Sequence, residues 1–130
     1  MIGQEEVTSV VNIVDQIIHK ALELRASDIH FEPLEDELRV RFRVDGILQD
    51  SAVVHESLKK KVMSRIKVLS HIDITQHRIP QDGKFILKTA HGASIDMRVS
   101  TFPSLHGEKM VVRILDKTSM KIELEELGFS

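Results

Sequence analysis

Apolar residues return at helical spacing over residues 5–25: Val7, Val10, Val11, Val14, Ile17, Ile18, Ala21 and Leu22. Positions three and four apart share one face of a helix, so this run predicts an amphipathic helix with one buried stripe. Its β-branched content is high, so packing rather than intrinsic propensity has to hold it. The period then changes. Over residues 37–45, Leu38, Val40, Phe42 and Val44 alternate with Arg39, Arg41, Arg43 and Asp45. That alternation predicts a strand with one apolar and one basic face. Residues 28–33 read as the strand before it, entered through a turn at Ser27 and Asp28. Asp45-Gly46 predicts a tight hairpin into a third strand at 47–54, because glycine supplies positive φ at little cost.

Helical spacing comes back over 56–70, where Leu58, Val62, Ile66 and Leu69 form a stripe and the lysines occupy the rest. Pro80 and Asp82-Gly83 then predict a connection with a tight turn, and His106-Gly107 predicts another. Strands are expected near 84–90, 93–101 and 109–116. Helix, three strands, helix, three strands implies an α/β fold of the α+β type: a largely antiparallel sheet of about six strands with two main helices packed on it. Residues 1–116 form one expected domain, and 117–130 read as the start of a linker.

Composition narrows the class. A chain of 130 residues with 42% hydrophobic and 29% charged positions is ordinary for a globular domain with its own core. Without cysteine it has no disulfide framework and no thiolate metal site, which fits a cytoplasmic setting. No apolar run reaches the roughly 20 residues that span a bilayer. The net charge of −2 is unevenly spread. Residues 28–50 carry seven acids against Arg39, Arg41 and Arg43. Residues 56–70 carry Lys59, Lys60, Lys61, Arg65 and Lys67 against Glu56 alone. A basic helix of this kind supplies phosphate contacts in nucleic-acid binding, yet aromatics are 4% and all Phe, which leaves no stacking platform. A solvated helix face is the ordinary account of the lysines.

The candidate chemistry lies in two arginines. Arg98 and Arg113 each stand on an expected strand in a largely apolar setting. The guanidinium is planar, permanently charged and presents a rigid fork of donors suited to phosphate. The ordinary alternative is a solvated or ion-paired surface arginine. The chain has neither G-x-x-x-x-G-K-[ST] nor G-x-G-x-x-G, so a nucleotide meeting these arginines would be held mostly by another domain. No pair of the seven histidines has the H-x-x-x-H or H-E-x-x-H spacing, and no metal site is expected. Asp28 and His30 fall on one strand face and suit a hydrogen-bonded pair. Arg41 and Arg43 suit cross-strand ion pairs with Glu32 or Glu35.

A longer ordered pattern adds to this. It runs through Ala26-Ser27-Asp28-Ile29-His30-Phe31-Glu32-Pro33 and Arg41-Phe42-Arg43-Val44-Asp45-Gly46, then Arg78-Ile79-Pro80-Gln81-Asp82-Gly83-Lys84. Met97-Arg98-Val99-Ser100-Thr101, His106-Gly107-Glu108-Lys109 and Arg113-Ile114-Leu115-Asp116-Lys117 complete it. In order and spacing these segments closely resemble the ATPases of type II secretion and type IV pilus assembly, in the domain immediately before the ATPase core. The resemblance covers residues 7–128. It implies a PAS-like fold and a non-catalytic regulatory and assembly role. It also implies a partner ATPase core, in the same or a neighbouring subunit, that binds ATP and Mg and assembles into a hexamer. Further partners would be secretion or pilus proteins of the inner membrane, reached from its cytoplasmic face. Arg98 and Arg113 match the family arginines that close the nucleotide site. His106, Glu108 and Lys109 match a loop suited to interface contact, with lysine at Lys109 where the family often has arginine. The chain stops where the core would begin, so a domain rather than a whole enzyme is expected. Two rival readings are a free-standing PAS-like small-molecule sensor and a nucleic-acid module using the helix 56–70.

Overall fold

The computed structural model describes residues 4–89 and 92–115. The expected linker at 117–130 lies outside them. Helix α1 spans Gln4–Glu23 and is followed by strands β1 (Asp28–Pro33), β2 (Glu37–Val44) and β3 (Ile47–His55). Helix α2 spans Glu56–Leu69 and precedes β4 (Gln81–Lys88), β5 (Ser94–Ser104) and β6 (Gly107–Leu115). The six strands form one open sheet in the order β3-β2-β1-β6-β5-β4, with every pairing antiparallel. The α+β class read from the pattern is the class observed. Among the described residues no helix is long and apolar enough to cross a membrane.

Period two decides which face is covered. Ile29, Phe31, Leu38, Val40, Phe42, Met97, Val99, Met110 and Val112 point to one side of the sheet and are almost fully buried. Onto them pack Val10, Val14, Ile17, Ile18 and Ala21 of α1, and Val62, Met63 and Ile66 of α2. Burying a side chain of this size stabilises by roughly 1.5–3 kcal/mol, which makes this single interface the main favourable term. The other face of the sheet carries the alternate residues, most of them charged.

Local chemistry sets the corners. Asp45 and Gly46 have φ of 52° and 80° and join β2 to β3 as the hairpin pattern requires. A bulge beside Val40 and Arg41 shifts the register by one and brings Asp50 opposite Arg41, whose Nε lies 3.5 Å from Asp50 Oδ1. The His55 ring caps α2, accepting from the Ser57 amide at 3.1 Å. Ser70 closes its other end, donating its hydroxyl to Ile66 O at 2.8 Å.

One turn expectation is corrected. Asp82-Gly83 is not a turn; both residues lie inside β4, paired with Ser100 and Val99. Glycine is needed there for close approach: a Cβ on Gly83 would stand 2.3 Å from Ser70 O and 2.8 Å from Ile72 Cγ1. β4 therefore lies hard against the end of α2, which fixes the edge strand that carries Lys84.

Candidate functional site: a cation row on the open sheet face

The register lines up one row across the open face. Arg43 of β2 faces Asp28 of β1, Asp28 faces Arg113 of β6, Arg113 faces Arg98 of β5, and Arg98 faces Lys84 of β4. Residues directly opposite in antiparallel strands share a face, so the five side chains rise together. Arg98 and Lys84 are exposed, and the Arg113 side chain is 68% accessible. The two arginines singled out from the sequence, fifteen positions apart in the chain, are thus cross-strand neighbours.

Asp28 anchors the row. It is 6% exposed and lies between two guanidinium groups. Arg113 Nε donates to its Oδ1 at 3.3 Å, and Arg43 Nε lies 3.4 Å from its Oδ2. Ser27 Oγ donates to Oδ2 at 3.1 Å. Arg113 is held by Nε, which leaves the outer nitrogens of its fork for an anion. The sequence reading gave Arg43 to Glu32 or Glu35; the strand register gives it Asp28 instead, while Arg41 Nη1 does reach Glu32 Oε1 at 3.3 Å. Arg39 Nε shares that oxygen at 3.2 Å. Burial pushes the Glu32 carboxyl up, but the hydrogen bond from Arg41 and the charges of Arg39, Arg41 and Lys109 hold it below its ordinary value. His30 stands between these rows with Nδ1 buried and unpartnered. Burial, helped by the Lys109 and Arg43 charges, lowers its pKa against the pull of Asp28 and Glu32.

The three loop residues singled out with the arginines separate. Lys109 lies on the open face beside Glu32, 3.7 Å from Oε2, and opposite Phe102. It is four residues from Arg113 along β6, about 13 Å at strand rise. His106 is at the hairpin tip, where its carbonyl accepts from Lys59 Nζ at 3.3 Å. Glu108 points to the opposite, helix-covered face, where its side chain is 8% exposed and pairs with Lys67 Nζ. His77 Nδ1 lies 3.0 Å from the same Glu108 oxygen. A carboxylate only accepts, so Nδ1 carries the proton. Burial pushes the Glu108 carboxyl up, but the hydrogen bonds from Lys67 and His77 outweigh it and the pKa is lowered.

Lys67 itself corrects the sequence reading of α2. The apolar stripe places it among the solvated lysines, yet it is 2% exposed. Lys59 is also engaged, donating to Leu34 O at 3.0 Å. The basic helix is thereby partly spent on internal contacts, which leaves less of it for nucleic acid. A groove of about 530 Å³ runs between α2 and the β5–β6 hairpin, with Lys60, Met63 and Glu108 in its wall.

The family model described as "Type II/IV secretion system protein" matches residues 3–130. The chain belongs to the type II/IV secretion system protein family. Among relatives, the type IV pilus assembly ATPase PilB of Myxococcus xanthus is 42% identical over 92% of this chain and 21% of its own length. The type II secretion system protein E of Xanthomonas campestris is 44% identical over 93% of this chain and 21% of its own length. The type II secretion system ATPase E of Vibrio cholerae is 38% identical over the whole chain and 26% of its own. This member of the family thus spans about a fifth to a quarter of the length of the curated relatives it matches. The open-face arginines and the buried Lys67–Glu108 pair both fall inside the matched residues.

Proposed function

We propose that this chain is a regulatory and assembly domain of a hexameric secretion or pilus motor ATPase. It packs on an ATPase core of the same or a neighbouring subunit and presents Arg98 and Arg113 to the ATP and Mg held there. Hydrolysis belongs to the core. Motion of this domain against it couples turnover to the extrusion of subunits by inner-membrane proteins, at the cytoplasmic face. The observation that carries the reading is the facing pair Arg98 and Arg113, exposed on a sheet face that no described element covers. Like charges directly opposite each other destabilise a sheet, and an anion between them reverses the sign. The names of the relatives, secretion and pilus ATPases, support the same reading.

The chemical role is electrostatic. A guanidinium that meets the γ-phosphoryl group when charge redistributes lowers the barrier more than it tightens ground-state binding. Arg98→Ala or Arg113→Ala in the full-length parent should lower kcat at least tenfold, about 1.4 kcal/mol or more. Lysine should restore only part, because it lacks the planar fork. The melting temperature of the isolated domain should stay near that of the wild type. Normal hydrolysis by both variants in the assembled motor, or activity lost only in step with unfolding, rejects the reading.

A further inference from the structure

The row does not end at the arginines. Lys84 of β4 faces Arg98 directly, just as Arg98 faces Arg113. Neighbouring strands lie about 4.8 Å apart, so three cations stand evenly along a line of about 10 Å. The one acid in that line is Asp28, at its inner end, and Arg43 and Arg113 both engage it. Acids flank the line at Asp82 and Asp96, one step away on β4 and β5. Asp82 accepts the Ser100 hydroxyl at 2.7 Å. Among the described residues neither Arg98 nor Lys84 makes a hydrogen bond or ion pair. Two successive like-charge oppositions weaken a sheet. The close approach at Gly83 nevertheless pins β4 against α2, so the edge strand holds Lys84 in line.

We propose that Lys84 is a third anion-binding cation of this row, and that the row takes an extended polyphosphate rather than a single phosphate. This rests on the reading that Arg98 and Arg113 meet phosphate. One phosphate is satisfied by one or two guanidinium forks. Three evenly spaced cations match an anion with charge spread along a chain. The division of labour follows from the side chains: the arginines grip oxygens in bidentate fashion, and Lys84, a mobile point charge on an edge strand, neutralises the far end.

The test uses this 130-residue chain, whose helices and strands share one core. It is labelled with ¹⁵N and titrated at low salt with inorganic triphosphate and, separately, with orthophosphate, while amide shifts are followed. Triphosphate should shift amides around positions 84, 98 and 113 and bind about tenfold more tightly than orthophosphate, since exposed phosphate contacts add in electrostatic binding. Lys84→Gln should weaken triphosphate about fivefold and leave orthophosphate within twofold, with core amides unmoved to show an intact fold. Arg98→Ala should weaken both anions. If Lys84→Gln changes neither anion while Arg98→Ala weakens both, the role of Lys84 is wrong and the arginine reading survives. If neither Lys84→Gln, Arg98→Ala nor Arg113→Ala has an effect, the reading beneath it fails as well. Equal affinity for the two anions, shifts centred on the α2 lysines, or no shift at 20 mM triphosphate at low salt (a concentration generous for sites of this kind) overturns the proposal.

Discussion

Asp28 is one residue with two charges to hold. Its carboxylate is buried and serves Arg43 and Arg113, whereas Arg113 is mostly exposed and loses little when water replaces it. The asymmetry predicts an order of effects in the isolated chain. Asp28→Asn keeps the shape but removes the charge that both guanidinium groups contact, and should cost about 1–2 kcal/mol by denaturant unfolding. Arg113→Ala should cost less than about 1 kcal/mol, as exposed ion pairs do. The reverse order would mean that Arg113 is a structural residue. The arginines themselves were legible: apolar neighbours at period two place Arg98 and Arg113 on strands. That they face each other was not, because register depends on which strands pair, and β1 entering between β2 and β6 leaves no local trace. Strand alternation alone puts Asp28 beside His30, whereas its carboxylate serves Arg43 and Arg113, a role that only the order of strands reveals.

At the level of elements, the contact between α2 and β6 turns on Lys67 and Glu108. Both side chains are more than nine-tenths buried, and they stand 41 positions apart in the chain. No sequence signal marks such a pair, since a lysine within a basic helix reads as solvated and a glutamate after His-Gly reads as loop. The element bounds suffered less: both helices and all six strands lie near their expected places. The exception was Asp82-Gly83, where a dipeptide common in turns serves a close approach of backbone to backbone. The buried pair has a testable sign. Lys67→Met takes the buried ammonium from the Glu108 carboxylate and leaves it only His77, and should destabilise by about 3 kcal/mol, while the double change with Glu108→Leu should cost far less than the sum. The pH dependence should follow. Glu108 has a folded pKa below its ordinary 4.5, so its contribution is full above about pH 4.5 and is lost as pH falls through the folded value. Without Lys67, burial is opposed by His77 alone, so the folded pKa moves up and the Lys67→Met variant should lose less stability than the wild type as pH falls from about 5 toward 4. Additive costs in the double variant, or parallel pH curves for wild type and Lys67→Met, would show that the ammonium does not support the carboxylate.

The whole molecule is a two-sided object with its core on one side only. Among the described residues two helices cover the apolar face of the sheet, and the opposite face carries mostly charged side chains with a few exposed apolar ones such as Ile86 and Phe102. The proposed role of such a face is to bind and orient an anion, and hydrolysis needs more. A phosphoryl-transfer site needs a cradle for the phosphates, an acid to hold the metal, and a group to position the attacking water. Among the described residues there is no cluster of three or more metal-ligating side chains, and the chain carries no phosphate-binding loop. The acids in and beside the row are Asp28, buried between two arginines, Asp82, bonded to Ser100, and Asp96 one step along β5. The chain alone is therefore expected to release no phosphate from MgATP above the buffer rate, in a continuous assay at micromolar protein. Mixing it with an ATPase core purified without this domain should raise the core's turnover, and the Arg98→Ala chain should fail to do so. Turnover by the chain alone that scales with its concentration and survives repurification would place catalytic groups on this sheet. Equal stimulation by wild type and Arg98→Ala would instead confine the domain's contribution to assembly.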